Sequence, residues 1–283
     1  MHKNIKDRLL ENSMLMDREL ANIYSTNHCV HEGLLTAQCY GLLGGGKRIR
    51  AFLLLHITKM LGGDINAAIP YACAIELIHA SSLVHDDMPC MDNDDMRRGK
   101  PSTHKAYGET LALLAGDALL VKAFEVAVNN RCTSVENNNK AVGILAQATG
   151  DSGMLAGQAL DTVQSENTLS LESLIQLHKL KTGKLISASA KLGCLAAGID
   201  ESDTRYNSLI KYAENVGLAF QIVDDILDYD ESKRETNSFT SFMGLDEAKK
   251  YAIDLTQAGV NEVSAFDDGT LKSLAEYLIK REY

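Results

Sequence analysis

The sequence predicts an all-α protein, a bundle of packed helices forming a single domain over residues 1–283. Three observations carry that prediction. Only three prolines stand among 283 residues, while Ala, Leu, Ile, Lys and Glu, all tolerant of helix, are plentiful. Apolar residues recur three and four positions apart in segment after segment. No internal repeat, low-complexity run or linker divides the chain, and 45% hydrophobic content at this length suffices to bury a sizeable core.

Charge and cysteine usage narrow the function classes. A formal net charge of -10 argues against nucleic acid as a partner. An anionic ligand would need local basic clusters or metal ions. Cys29, Cys39, Cys73, Cys90, Cys132 and Cys194 show no CxxC pairing, which makes a reduced, cytoplasmic location the expectation. The first residues lack an apolar signal core. The apolar segment 111–128 is broken by Asp117, Lys122 and Glu125, so no stable membrane insertion is expected.

Taken in order, residues 4–23 read as an amphipathic helix with Ile5, Leu9, Leu10, Leu15 and Leu20 near helical period. A second helix, 30–43, stops at Gly44-Gly45-Gly46. Lys47-Arg48-Ile49-Arg50 then opens a third through Phe52, Leu55 and Met60. Glycines, a helix N-terminus and three cations suit a phosphate. A helix stop followed by surface basics explains the same residues. The spacing Gly41 to Lys47 matches a nucleotide-binding P-loop, but Arg48 stands where a Ser or Thr should be and a helix precedes it.

The fourth helix, from about residue 66, ends in the densest chemistry of the chain. Residues 86–98 hold five aspartates and two arginines. Glu76, His79, Ser82 and Asp86 share one face of that helix. Pro89 disfavours helix at Met88, which places Asp86 and Asp87 in the last turn, with Asp92 folding back from the loop. Close carboxylates repel unless a cation sits between them, and their oxygens suit Mg²⁺. Arg97 and Arg98 suit planar recognition of phosphate. A solvated acidic turn capped by basic residues is the plain alternative.

Residues 108–129 form another apolar helix, followed by a polar break in which Asn137-Asn138-Asn139 reads as a loop. Helices follow at 141–149 and 152–163, the latter carrying Gln158 and Asp161. Within 171–198, Gly183 marks either a kink that turns Lys181 and Thr182 inward or an ordinary helix end. The helix 204–230 has a packing seam of Leu209, Ala213, Val216, Phe220, Val223 and Leu227. Beside the seam Gln221, Asp224, Asp225 and Asp228 fall within one sector of about 100°. Three carboxylates there are costly without a cation, although Asp228 also fits a plain surface charge. Segments 246–258 and 270–281 complete the helices.

Two Asp-Asp sites far apart in sequence, with separate basic groups, suit ionisation of a diphosphate ester. From Gly44 to Asp228 the chain resembles the trans-isoprenyl diphosphate synthases, in the farnesyl and geranylgeranyl diphosphate synthase group. The resemblance rests on Asp86-Asp87-Met88-Pro89-Cys90-Met91-Asp92, Arg97-Arg98-Gly99 and Asp224-Asp225-Ile226-Leu227-Asp228. Gly45-Gly46-Lys47-Arg48-Ile49-Arg50, Lys181-Thr182-Gly183 and Phe220-Gln221 add to it.

What the resemblance implies is an all-helical bundle around a central substrate cavity, and a homodimer. Gly46, Lys47, Arg50, His79 and Arg98 would bind the diphosphate of isopentenyl diphosphate. Asp86, Asp87, Asp92, Asp224, Asp225 and Asp228 would carry Mg²⁺, three ions per active site, on an allylic diphosphate. Arg97 and Lys181 would add charge, with Thr182 and Gln221 near the reacting carbons. The implied reaction is ionisation of the allylic diphosphate, attack by the isopentenyl double bond, and proton loss.

Two departures and two rivals matter. Ala51 replaces a usual proline. The segment after Asp228 is short and lacks the family's lysine before a Thr-Tyr pair, so Lys233 or Arg234 is expected to reach back over the second cluster. A class I terpene cyclase would lack the second aspartate motif and the Gly-Gly-Lys-Arg cluster. A non-catalytic synthase-like subunit should have lost an aspartate motif. Ser81 and Ser82, one helical turn before Asp86, set the expected floor for the growing chain. Ser81 is small where C15-forming members carry an aromatic residue, which favours geranylgeranyl (C20) over farnesyl diphosphate as product.

Overall fold

The computed structural model describes residues 4–25, 29–163, 169–230 and 237–280. It is helical almost throughout, as expected, and its contacts divide into two compact units, residues 1–142 and 143–283.

In the first unit, α1 (Ile5–Ser25), α2 (Glu32–Leu42), α3 (Ile49–Met60) and α4 (Ile65–Asp86) follow the expected order. A hairpin of β1 (Met96–Arg97) and β2 (Lys100–Pro101) comes next, then α5 (Thr103–Tyr107) and α6 (Glu109–Val128). The buried stripe of α1 is Leu9, Asn12, Met16, Leu20 and Tyr24, while Leu10 faces outward. Asp64 caps α4 by accepting from the Asn66 amide at 2.9 Å.

Helix α4 is the centre of this unit. Every residue from 71 to 78 is buried, and α4 packs most extensively on α6. The face that α6 buries is Ala112, Ala115, Gly116, Leu119, Ala123 and Ala127, mostly small residues that let two helices approach closely. The two run antiparallel. His85 Nε2 lies 3.2 Å from the Leu113 carbonyl at one end, and the Asn130 side-chain amide donates to the Ala67 carbonyl at 2.9 Å at the other. Among the described helices, α4 rather than the segment 111–128 is long and apolar enough to cross a bilayer. Yet 72% of that window is buried within the protein, which marks a core helix.

The asparagine run expected as a loop is helical. It lies in the first turns of α7 (Val135–Thr149), where the Ser134 hydroxyl accepts from the Asn137 amide at 3.1 Å. Asn138 is buried and fully engaged: it accepts from the Tyr71 hydroxyl at 2.8 Å and donates to the Val128 and Asn130 carbonyls. Those tertiary partners outweigh the poor helix propensity of asparagine.

The second unit holds α8 (Met154–Val163), α9 (Leu171–His178), α10 (Lys184–Ala196) and α11 (Thr204–Leu227). The short α12 (Phe239–Met243), α13 (Leu245–Val263) and α14 (Thr270–Ile279) follow. Helix α11 packs chiefly on α13 and buries Tyr212, Gly217, Leu218, Ala219 and Ile222 besides most of its expected seam. A helix buried on more than one face is a core helix. The Ser238 and Ser241 side chains form a reciprocal capping box at α12, an element the periodicity did not reveal.

Candidate active site

The acidic end of α4 is built as expected. Asp87 is the C-cap, Pro89 follows, and the chain folds back so that the Asp92 amide donates to the Asp86 carbonyl at 2.9 Å. Asp86 and Asp92 are thereby brought to one turn of backbone. Asp87 differs from them. Its carboxylate is buried and accepts from Arg97, through Nε at 2.9 Å and through Nη2 as well. Arg97 also reaches Asp94 at 3.1 Å.

Arg97 and Arg98 diverge because they straddle the tip of the hairpin. Arg98 and Gly99 have φ of 52° and 76°, two successive positive values that mark a tight primed turn, and Arg97 pairs with Lys100 across the ladder. Arg98 points to the glycine loop, where its guanidinium donates to the Gly45 carbonyl. Gly46 has φ of 121°, and a Cβ there would lie 2.9 Å from the Arg98 Cζ. The positive φ favours glycine at that position, whereas the close contact is only with the far end of the Arg98 side chain.

Of the three cations expected to converge on a phosphate, Arg48 does something else. It is the N-cap of α3 with φ of 48°, and its guanidinium is buried. It donates to Asp17 at 2.9 Å, to Glu76 at 3.2 Å and to the Leu42 carbonyl at 2.7 Å. Glu76 is buried too and accepts from the Ala51 amide at 3.1 Å. So Arg48 and Glu76 are structural, Lys47 is exposed and Arg50 half-buried. Asp17 had no signal in the sequence, since α1 reads as a plain amphipathic helix.

His79 is half-buried on α4. Burial first, then the charges of Arg50, Arg98, Arg48 and Arg97, hold it well below the ordinary histidine range. It is a neutral imidazole at pH 7, offering a hydrogen bond rather than a charge. Ser81 is buried, and the Ser82 hydroxyl, half-buried, donates back to the His79 carbonyl at 3.0 Å.

In the second unit Gly183 sits in a continuous helical path. Residues Lys179–Gly183 form a single π turn between α9 and α10, which is the kink reading rather than the helix end. Thr182 is buried there, and Lys181 pairs with Asp161 of α8 at 2.5 Å. Gly157 of α8 admits this turn: a Cβ at 157 would fall 2.2 Å from the Lys181 nitrogen. At the end of α11, Gln221, Asp224 and Asp225 are half-buried and Asp228 is exposed. The Asp225 carboxylate accepts from the Phe239 amide at 2.7 Å, which anchors the start of α12. The Asp228 amide closes α11 on the Asp224 carbonyl at 2.9 Å. Lys233 and Arg234 lie outside the described residues.

The chain is similar to proteins of known activity along most of its length. Residues 32–240 match the family described as polyprenyl synthetase. Identity is 41% over 275 residues to the heterodimeric geranylgeranyl pyrophosphate synthase large subunit 1, chloroplastic, of Arabidopsis thaliana, covering 89% of this chain and 72% of that one. It is 40% over 262 residues to the farnesyl diphosphate synthase of Haemophilus influenzae, covering 88% and 89%. The crystal structure of an FPP/GFPP synthase from Zymomonas mobilis matches with a TM-score of 0.89 and 34% identity, covering 97% of this chain and 98% of that one. All the motif residues from Gly44 to Asp228 fall within the matched span, and this chain belongs to the polyprenyl synthetase family.

Proposed function

We propose that this chain is a Mg²⁺-dependent trans-prenyltransferase that condenses isopentenyl diphosphate with an allylic diphosphate and releases mainly geranylgeranyl diphosphate. The prenyltransferase class follows from the family and from relatives named geranylgeranyl and farnesyl diphosphate synthases. The observation that carries the reading is the end of α4, where an acidic turn and two arginines sit on one backbone fold.

The donor set fits a hard divalent cation. Asp86 and Asp92 offer carboxylate oxygens from one turn, and at the end of α11 Asp224 and Asp228 offer the same chemistry. Asp87 and Asp225, expected as Mg²⁺ ligands with them, also accept from Arg97 and from the Phe239 amide, bonds that orient the two carboxylates. Mg²⁺ bound there supplies charge neutralisation to a leaving diphosphate, with three ions the count this reading expects.

The residues of the chain bind and orient. In the first unit Lys47, Arg50 and Arg98 provide charge for the isopentenyl diphosphate, and neutral His79 adds a hydrogen bond without further repulsion among the arginines. Arg97, held by Asp87, would add charge for the allylic diphosphate. In the second unit Lys181, held by Asp161, would add charge in the same way, and this reading assigns buried Thr182 and half-buried Gln221 to the hydrocarbon. The allylic C–O bond breaks, the isopentenyl double bond attacks the resulting carbocation, and loss of a proton restores neutrality.

Small, buried Ser81 supports a C20 product, because no aromatic ring stands there to stop the chain at C15. Leu113, Leu114, Val121 and Val128 form an exposed apolar face on α6, which supports association of two copies. The six free cysteines fit a reducing compartment, the cytoplasm.

The test is product chromatography with labelled isopentenyl diphosphate, an allylic primer and graded Mg²⁺. Asp86→Ala and Asp224→Ala should stay folded and lose turnover by about 10²-fold or more. Near-wild-type, Mg²⁺-independent turnover in either variant overturns the assignment.

A further inference from the structure

Tyr40 and Lys100, of the first unit, have no part in the reading above, yet they meet directly behind the arginine hairpin. Tyr40 lies in the last turn and a half of α2, and Lys100 opens β2. The Tyr40 hydroxyl donates to the Pro101 carbonyl at 2.7 Å. The Lys100 ammonium donates to the Tyr40 carbonyl, also at 2.7 Å, and stands 3.7 Å from the centroid of the Tyr40 ring. Tyr107 packs edge-on to that ring, with centroids 5.2 Å apart. The Lys100 side chain also fills the space beside Gly44, where a Cβ would fall 2.6 Å from its nitrogen. One lysine thus touches α2, the hairpin and the glycine loop that receives Arg98.

Such ties are needed. Strands of two residues cannot hold a hairpin by themselves, and Arg98 occupies a left-handed conformation that a non-glycine residue adopts at a cost. Left loose, the turn would let both guanidiniums wander from Asp87 and Gly45.

We propose that Tyr40 and Lys100 are positioning residues, a clamp between α2 and the hairpin that fixes Arg97 and Arg98 for diphosphate binding. The proposal rests on the reading of Arg98 as a ligand of the isopentenyl diphosphate. The Lys100 ammonium is spent on a carbonyl and a ring, so it acts through Arg98 rather than on the substrate.

The experiment compares full-length wild type with Lys100→Met, Lys100→Arg and Tyr40→Phe, by steady-state kinetics and by limited trypsin cleavage after Arg98. Losing a charge-assisted hydrogen bond that orders a binding group should raise KM for isopentenyl diphosphate about tenfold in Lys100→Met. There kcat should change little and cleavage after Arg98 should quicken. Lys100→Arg keeps both the donor and the cation over the ring, and should restore KM and protection. Tyr40→Phe keeps the ring, shifts both readouts the same way by less, and serves if Lys100→Met does not fold. Unchanged KM in Lys100→Met overturns the clamp's role, whether or not cleavage quickens. So does a Lys100→Arg variant as impaired as Lys100→Met. Wild type without isopentenyl diphosphate turnover overturns instead the functional reading beneath it, and the same assay shows which has failed.

Discussion

Replacing Glu76 by alanine should destabilise the first unit far more than a surface carboxylate would. The Arg48 guanidinium and the Glu76 carboxylate each have about 2% of their side-chain surface exposed, so removal of one leaves a charge that water does not reach. Breaking a buried pair in this way costs about 3–5 kcal/mol. Two local features set the figure within that range. Asp17 still accepts from Arg48 through Nε and Nη2, which offsets part of the loss. The Ala51 amide, which donates to Glu76, loses its partner and adds about 1–3 kcal/mol if no other acceptor reaches it. About 4 kcal/mol is the expected cost. Urea unfolding at pH 7 measures it, and with m of about 1–3 kcal/mol/M the midpoint should fall by more than about 1 M. Arg48→Met/Glu76→Leu removes both charges and fills similar volume, and should be more stable than Glu76→Ala alone. A loss below about 1 kcal/mol in Glu76→Ala, or an Arg48→Met/Glu76→Leu loss equal to the sum of those of Arg48→Met and Glu76→Leu, refutes a buried, coupled pair.

Two further outcomes are expected. Ser81→Phe should shift the product from C20 to C15 on chromatography with little change in isopentenyl diphosphate KM; wild type already stopping at C15 would place the floor elsewhere. His178, stacked on Phe239, is held down at about 4, chiefly by burial, with Asp161 opposing and Lys181 adding a smaller push downward. A histidine depressed in the folded state contributes fully above its unfolded value of about 6.5 and less as pH falls towards 4, a loss of about 3 kcal/mol in all. Urea unfolding at several pH values should show a shallower decline between 6.5 and 4 for His178→Phe than for wild type, and equal slopes would contradict it.

The two acidic helix ends were readable from the sequence because everything that forms them is local. Carboxylates at helical spacing mark both, and at α4 a proline that ends the helix and a loop short enough to fold back lie within the same dozen residues. The long helices were readable for the same reason, since periodicity is a local signal. What each charged side chain does was not. Arg48 and Arg50 stand two positions apart in one basic cluster. The left-handed backbone at Arg48 sends its guanidinium inward to Asp17 and Glu76. Arg97 and Arg98 are neighbours too, but the turn between the short strands sends one to Asp87 and the other to Gly45. Asn138 reads as loop by propensity and is helical because Tyr71 and two carbonyls satisfy it. Gly183 alone left a kink and a helix end equally open, and it was Gly157, on another helix, that made room for the π turn. In each case the deciding partner lies far along the chain. A sequence states which groups are present and at what local spacing, whereas burial and pairing are fixed by segments that meet only on folding.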